Sequence, residues 1–246
     1  MSLQIIPVPI SKDVEPGDDL VELLLKTHAG KGLKEGDILV FTQKIISKQE
    51  GRKIELSKIS PTLLATGIAS AYAKDPRIVQ LILDETKRII RMKNGIIISE
   101  TWQGLVCANA GIDESNVGDG FATLLPKNAD ESAQKLRLRI KRKTGKNIAV
   151  IISDTFGRPF REGQTDVAIG FSGLSSIINY AGKRDNFNRI LRVTALAVVD
   201  EICSASELVR GKTLRIPIAI VRNYKFVKKN DRLKDLLRVK ALDLFR

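Results

Sequence analysis

Short runs of β-branched and other apolar residues alternate along this chain with longer stretches in which apolar residues recur at helical spacing. Apolar runs of about four to eight residues are typical of buried strands, and the longer pattern is typical of helices that bury one face. Strands are predicted over 38–42, 95–99, 104–108, 148–152, 168–171, 191–199 and 216–221. The pattern therefore predicts a mixed α/β protein.

Three stretches have the pattern of helices. Apolar residues recur at helical spacing over 61–91, but Lys74-Asp75-Pro76 interrupts them, so two helices are predicted there. A helix over 130–143 begins with acidic residues, which suit the positive end of the helix dipole, and ends at Gly145. A further helix is predicted over 202–210.

The composition is that of an ordinary globular protein, since 43% of the 246 residues are hydrophobic and 28% are charged. The single histidine, His28, and the two cysteines exclude a histidine-rich zinc site and a disulfide framework, and they disfavour Ser/His/Asp or Cys/His catalysis. Any chemistry then relies on carboxylates, hydroxyls, amides, lysines and arginines. The chain has no signal-peptide pattern and no apolar run of roughly 20 residues, so we expect a cytoplasmic protein without a membrane partner.

Positive charge is in excess, with 41 lysines and arginines against 28 acidic residues and a formal net charge of +13. Basic residues cluster over 135–146 and over 222–246. Such clusters could neutralise the phosphates of a nucleic acid, or they could form a solvated surface that attracts anionic substrates. Three tyrosines and one tryptophan offer few platforms for stacking bases, so the second explanation is favoured and a nucleic-acid partner is not expected.

Acidic residues follow two predicted strands, where side chains of α/β proteins often point into a ligand crevice. Asp113 lies in the stretch after 104–108, and Asp154 with Thr155 follows 148–152. Carboxylate and hydroxyl oxygens suit Mg²⁺ and Mn²⁺, and the guanidinium groups of Arg158 and Arg161 suit phosphate or carboxylate oxygens. Aspartate is also common in turns and caps, so both interpretations stay open from the residues alone.

Two further stretches carry basic residues beside a predicted strand or helix end. Lys44 and Lys48 follow the strand 38–42 and suit a phosphate chain, although lysines at a strand end also protect against edge pairing. The stretch 206–213 has the spacing of a phosphate-binding loop except that Ser206 replaces the first glycine. Because the intervening residues favour a helix, we predict a helix that ends at Gly211 instead of such a loop.

Taken together, these stretches resemble the coenzyme F420-0:L-glutamate ligases, archaeal γ-glutamyl ligases that attach glutamate to the deazaflavin coenzyme F420. The resemblance rests on motifs over 36–40, 46–52, 109–117, 154–161, 163–170 and 200–212. Their order and spacing fit from about residue 5 to about residue 222. The resemblance therefore implies one ligase domain over 1–222, which two intertwined subdomains could make up, followed by a basic helical segment over 223–246.

The resemblance also implies an α/β fold particular to the family, distinct from P-loop and ATP-grasp ligases, in an intertwined homodimer. The implied reaction is GTP-dependent, needs Mg²⁺ or Mn²⁺ and K⁺, and has F420-0 and L-glutamate as substrates. The terminal carboxylate of F420-0 would accept the γ-phosphoryl group of GTP. The glutamate amine would then displace phosphate from this acyl phosphate, and further γ-linked glutamates would be added in the same way.

Particular residues receive roles from the same resemblance. Asp113 and Asp154 would bind the first metal ion and act in catalysis together with Arg158, and Thr155 would contact a second metal ion. The residues implied to bind the nucleotide are Val8, Pro9, Ile10, Gln43, Lys44, Lys48, Asn116, Arg210, Gly211 and Lys212.

Two residues depart from the family pattern. Lys212 stands where some relatives place an acidic ligand of the second metal ion, so that ion would be held differently, with Glu201 or Glu207 as substitutes. Asn188 stands where glycine is usual, and we expect it to adopt the same left-handed backbone.

Two other functions remain open from the sequence. A related ligase could add another amino acid or act on another carboxylate, because the motifs do not fix the acceptor. A basic nucleic-acid-binding protein on a related scaffold would instead use the two basic clusters.

Overall fold

The computed structural model describes residues 2–243 and contains a five-stranded central sheet with three smaller sheets. The strands are β1 (Gln4–Val8), β2 (Ile38–Thr42), β3 (Lys53–Glu55), β4 (Thr86–Lys93), β5 (Ile96–Thr101), β6 (Val106–Ala108), β7 (Phe121–Thr123), β8 (Ala149–Arg158), β9 (Arg161–Ser172), β10 (Ile178–Asn179), β11 (Ala195–Leu196) and β12 (Ile218–Arg222). The helices are α1 (Leu20–Lys26), α2 (His28–Lys31), α3 (Gln43–Gln49), α4 (Leu63–Tyr72), α5 (Pro76–Glu85), α6 (Ala129–Thr144), α7 (Val198–Arg210) and α8 (Leu233–Leu236).

The central sheet has the strand order β1-β12-β2-β8-β9. Its middle pair, β2 and β8, runs parallel, and the other neighbouring strands run antiparallel. The smaller sheets are β3-β7, β4-β5-β6 and β10-β11. The predicted mixed α/β class is confirmed.

Apolar side chains cover both faces of the central sheet, because its inner strands are apolar at nearly every position. Alternation along β2 sends Leu39 and Phe41 to one face, where they pack with residues of α1 and α6. Ile38 and Val40 lie on the other face with Ile202 of α7. The sheet is therefore a middle layer between α1 and α6 on one side and α7 on the other.

A third apolar cluster joins α4, α5 and β5 through Ala65, Ile82 and Ile97. The predicted pairing of the strands near 95–99 and 104–108 is confirmed, since β5 and β6 are antiparallel neighbours. β6 ends at Ala108, so the polar stretch with Asp113 follows a strand end as predicted.

The predicted second helix of the stretch 61–91 extends too far. α5 ends at Glu85, and the residues that follow form β4. The chain changes conformation here because β-branched residues, among them Thr86 and Ile89, pair with β5.

The predicted strand over 191–199 is also wrong for most of its length. Its regular pairing is limited to β11, and Val198 and Val199 begin α7. Their spacing with Ile202 and Cys203 places all four on one buried helix face, and this packing outweighs the strand preference of valine.

β8 continues beyond the strand end predicted at residue 152. Ser153, Asp154 and Thr155 therefore lie on the strand itself and not in a loop after it. The extension is possible because β9 pairs with β8 along its whole outer part, as far as Arg158 and Arg161. Polar residues thus continue the two alternating faces that the apolar residues of β8 establish.

The β8–β9 hairpin contains a bulge. Ile152 pairs with Gly170, but the next residue, Ser153, pairs with Ala168, so one residue of β9 is skipped. Beyond the bulge Thr155 lies directly opposite Asp166.

Three predictions of local conformation are confirmed. α6 ends at Gly145, whose φ is 72°. α7 ends before Gly211, so 206–210 is helical and does not form a phosphate-binding loop. Asn188 has a φ of 64°, the left-handed conformation expected for a residue that replaces glycine.

The basic clusters are partly used within the protein. On α6, Arg139 pairs with Asp19, and Lys143 Nζ lies 2.6 Å from Glu22 Oε1. The segment after residue 222 has α8 and a 3₁₀ turn at Lys240–Leu242, and Arg246 lies outside the described residues. Within residues 2–243 no helix combines the length and the apolarity needed to cross a bilayer.

Candidate active site

A large open pocket lies at the carboxyl ends of β2 and β8 and has a volume of about 950 Å³. Its lining comes from five parts of the chain, within 10–15, 42–53, 107–118, 153–166 and 207–217. In open α/β sheets, ligands commonly bind outside the carboxyl ends of parallel strands. The volume is near the upper end of the usual range for small-molecule sites, roughly 300–1,000 Å³.

Asp113 and Lys44 form an ion pair in this pocket. Lys44 Nζ lies 2.7 Å from Asp113 Oδ2 and donates to the Ser115 hydroxyl at 2.8 Å. The Ser115 N–H donates to Asp113 Oδ1 at 2.7 Å, so the turn interpretation also describes this aspartate. Partial burial by itself raises the pKa of Asp113, but Lys44 and Ser115 together lower it below its ordinary value. Asp113 is therefore a carboxylate at neutral pH.

Asp154 is half-buried and lacks such a partner. Burial, with contributions from the neighbouring Asp166 and Asp113 carboxylates, raises the pKa of Asp154 to about 7. The backbone N–H of Thr155 and the more distant Lys44 ammonium oppose this shift. Among the described residues, no ion pair neutralises the Asp154 carboxylate.

The donors in the pocket suit a divalent cation that is shared with a substrate. Among residues 2–243, no group of three or more His, Cys, Asp or Glu side chains is arranged to hold a metal ion. Mg²⁺ commonly binds to one or two carboxylates and completes its shell with water and substrate phosphates. Asp113, Asp154 and the Thr155 hydroxyl are donors of this kind. A cation beside Asp154 would also stabilise its charged form and so lower its pKa.

On the opposite face of the hairpin, a buried network holds Asp166. Its Oδ2 pairs with Arg210, which is fully buried at the end of α7, and accepts from the Ser153 hydroxyl at 3.1 Å. Its Oδ1 accepts from the Thr155 hydroxyl at 2.6 Å. The Asp166 carboxylate therefore has a counter-charge and hydrogen-bond donors within the protein.

Lys212 completes this network at the pocket surface. Its Nζ lies 2.7 Å from Thr155 Oγ1, 2.9 Å from Glu207 Oε1 and 3.3 Å from Asp166 Oδ1. We call these three oxygens the Lys212 corner. Thr155 and Glu207, which the resemblance links to a second metal ion, thus contact an ammonium group here. Glu201, the other suggested substitute, does not line the pocket.

Most residues with a predicted role in the site come together in this pocket. They are Ile10, Gln43, Lys44, Lys48, Asp113, Asn116, Asp154, Thr155, Gly211 and Lys212. The Gln43 amide is used internally, since it donates to Ser47 Oγ at 2.7 Å and to the Leu124 carbonyl at 3.1 Å. Burial lowers the pKa of Lys48, which lies one helical turn beyond Lys44.

Four residues with predicted roles do not line the pocket: Val8, Pro9, Arg158 and Arg210. Val8 is part of the core beneath it, and Arg210 lies behind its wall. Arg158 lies at the hairpin end, where its Nη2 donates to the Glu162 carbonyl at 2.6 Å.

Asp166 lines the pocket but has no predicted role, although it lies in the motif over 163–170. The signal that could have found it is the hairpin itself. A turn at Pro159-Phe160 brings 165–166 back beside 155–156. Lys12, Asp13 and Lys53 also line the pocket without a predicted role.

A mixed α/β fold whose pocket gathers carboxylates, lysines and a hydroxyl at strand ends is typical of enzymes that act on charged small molecules. Comparison with known proteins gives the particular family. The model of the F420-0:gamma-glutamyl ligase family matches residues 10–223, and the chain belongs to this family. The resemblance drawn from the motifs is therefore confirmed.

Relatives from three archaea carry the name coenzyme F420:L-glutamate ligase. The protein of Methanothermobacter thermautotrophicus is 45% identical over 251 residues, covering 100% of both chains. That of Methanopyrus kandleri is 44% identical over 91% of this chain and 88% of its own length. That of Methanocaldococcus jannaschii is 44% identical over 87% of this chain and 86% of its own length.

Proposed function

We propose that this protein joins L-glutamate to the terminal carboxylate of coenzyme F420-0 and adds further γ-linked glutamates in coenzyme F420 biosynthesis. The observation that carries the proposal is the full-length similarity to a coenzyme F420:L-glutamate ligase in a chain whose pocket gathers Asp113, Asp154, Lys44 and Lys48. The large volume of the pocket suits a reaction that brings a nucleotide and an acceptor together.

The proposed reaction activates the carboxylate with GTP. An oxygen of the F420-0 carboxylate attacks the γ-phosphorus, the bond from that phosphorus to the bridging oxygen breaks, and GDP leaves. The glutamate amine then attacks the acyl carbon, the bond to phosphate breaks, and the amine nitrogen loses its proton to solvent. In such transfers the protein contributes mainly positioning and neutralisation of charge.

The pocket residues divide this work. Asp113 and Asp154 would hold Mg²⁺ or Mn²⁺, which neutralises phosphate charge when bound, and K⁺ would be a further cofactor. Lys44 and Lys48, on successive turns of α3, would bind phosphate oxygens. Asn116 and Gly211 would contact the nucleotide, and the absence of a side chain at Gly211 would let the backbone approach it closely.

The experiment that tests the function combines purified protein with GTP, Mn²⁺, K⁺, L-glutamate and F420-0, and the mass of the product is measured. Gain of one or more glutamyl units together with GDP release is the expected result. GTP binding without a gain in mass would indicate that the acceptor is a different carboxylate. Absence of GTP binding would contradict the nucleotide-dependent mechanism.

We also propose that the protein is a homodimer. Large apolar side chains are exposed at the hairpin tip, in the stretch after β10 and on α7: Phe160, Phe187, Val193 and Leu208 are each at least 84% exposed. A second copy of the chain would cover these side chains, since burial of large apolar side chains is favourable. Sedimentation equilibrium of the wild type and of F160S/V193S tests this. A monomeric wild type would contradict the proposal.

A further inference from the structure

Three oxygens of the Lys212 corner converge on one ammonium group. The distances to Lys212 Nζ are 2.7 Å from Thr155 Oγ1, 2.9 Å from Glu207 Oε1 and 3.3 Å from Asp166 Oδ1. A hydroxyl and two carboxylates are also donors that a hard divalent cation prefers. The ammonium therefore lies where the surrounding oxygens would accept either kind of cation.

The charges of the corner balance only while Lys212 is present. Asp166 and Glu207 are acidic, and Arg210 and Lys212 are basic. Arg210 is fully buried and lies 3.5 Å from Glu207 as well as against Asp166, so its charge stays in place. The Lys212 side chain is 58% exposed and follows the end of α7, so it can leave without disturbing the core.

We propose that the Lys212 ammonium and a divalent cation compete for the Lys212 corner. In the metal-free pocket Lys212 occupies the corner, and a cation that enters it displaces the side chain toward the pocket interior. Asp154 lies on the opposite face of the hairpin and forms no ion pair among the described residues, so a first cation would displace no ammonium from that carboxylate. The inference rests on the proposed function only in that the pocket receives divalent cations.

Titration of the nucleotide-free, full-length protein with Mn²⁺ tests this competition, with free Mn²⁺ followed by electron paramagnetic resonance. K212Q removes the ammonium and keeps a polar side chain. We expect the weaker Mn²⁺ site to become about tenfold tighter, within the usual range of coupling between sites. K12Q is the matched control, because Lys12 also lines the pocket but pairs with Asp18 at 2.6 Å. It should leave that site unchanged.

The double variant K212Q/E207Q locates the gain in the corner. Loss of the Glu207 carboxylate should return the tightened site to the wild-type affinity or below. Identical Mn²⁺ isotherms for the wild type and K212Q would overturn the proposal, and so would equal gains in K212Q and K12Q. Melting curves check that the variants are folded, and K212M provides a second neutral side chain.

GTP binding and product formation are measured separately on the same preparations. Failure to bind GTP would contradict the proposed function and leave the Mn²⁺ comparison valid. Normal ligation with unaltered Mn²⁺ isotherms in K212Q would contradict the competition alone.

Discussion

Asp154 and Asp166 lie on paired strands of one hairpin and border the same pocket, yet their surroundings are opposite. Asp166 faces α7, where the buried Arg210 pairs with it and hydroxyl groups of Ser153 and Thr155 donate to it. Asp154 lies on the other face, and burial raises its pKa to about 7. Within the described part of the protein, only Asp166 of the two has a counter-charge, the guanidinium of Arg210.

The difference separates two kinds of buried carboxylate. A carboxylate that has both a counter-charge and hydrogen-bond donors holds neighbouring groups in place. Asp166 holds Thr155 and Lys212 in this way. A carboxylate whose charged form is disfavoured lowers stability, and a bound cation can remove that penalty. We infer that Asp166 positions the wall of the pocket and that Asp154 meets the ligand.

The largest effect is expected for Asp154→Asn. If Asp154 holds the metal ion of the proposed reaction, the amide should reduce ligation about a hundredfold to a thousandfold, as for other groups that stabilise transition-state charge. The fold should be retained, because the shapes of the two side chains are nearly the same. Product mass and thermal melting measure the two effects. Full turnover in Asp154→Asn would exclude Asp154 as a metal ligand. Asp113→Asn should also lose ligation activity and should bind the metal ion more weakly.

Arg210→Met should cause the next largest effect, on the folded state. It leaves the buried Asp166 carboxylate without its guanidinium, and breaking such a pair typically costs about 3–5 kcal/mol. The free energy of unfolding, from denaturant titration, measures the loss. Arg210→Lys keeps the charge and should lose less. A loss below about 1 kcal/mol for the methionine variant would show that Asp166 does not depend on Arg210.

The pH dependence of stability should differ between the metal-free wild type and Asp154→Asn. An aspartate of the unfolded chain ionises near pH 3.9, whereas folded Asp154 keeps its proton to about pH 7. Its contribution to stability is thus present below about pH 4 and is lost as pH rises through 7, by at most about 4 kcal/mol. Unfolding free energies from pH 5 to 8 should increasingly favour the variant. Parallel pH profiles of the two unfolding free energies would contradict this. Addition of Mn²⁺ should reduce the difference in stability between the variant and the wild type.

The smallest effect is expected for Lys44→Gln. The side chains of Lys44 and Asp113 are 23% and 41% exposed, and solvent-exposed ion pairs typically contribute about 1 kcal/mol or less. Denaturant titration should therefore show a much smaller loss than for Arg210→Met. A loss of similar size would mean that the Asp113 pair is structural, and the contrast between the two pairs would fail.

Local patterns predict a large part of the fold and the part of the site that contains Asp113 and Asp154. Four of the five strands of the central sheet, all except β1, appear at least in part as predicted apolar runs. Gly145 marks the end of α6, because helix termination depends on nearby residues. Asp113 and Asp154 are found because each follows an apolar run. Thr86 and Val198 belong to elements that long-range packing decides, and there the predictions are wrong.

The part of the site around Asp166 depends on strand register and on partners that are distant in sequence. Asp166 faces Thr155 only through the pairing of β8 with β9, and Arg210 reaches it from a helix 44 residues away in sequence. A contact between residues so far apart in sequence leaves no signal in the local pattern of either one. The position of Lys212 is unpredictable for the same reason, since its contacts depend on where α7 ends against the hairpin.

The bulge in the hairpin makes the site depend on strand register as well as on the identity of its side chains. Continuing the pairing of Ile152 with Gly170 without a skipped residue would put Asp166 opposite Phe156 and not opposite Thr155. Such a register would keep every residue of both strands. It would nevertheless change which side chains lie opposite one another, so the skipped residue of β9 helps to determine the wall of this pocket.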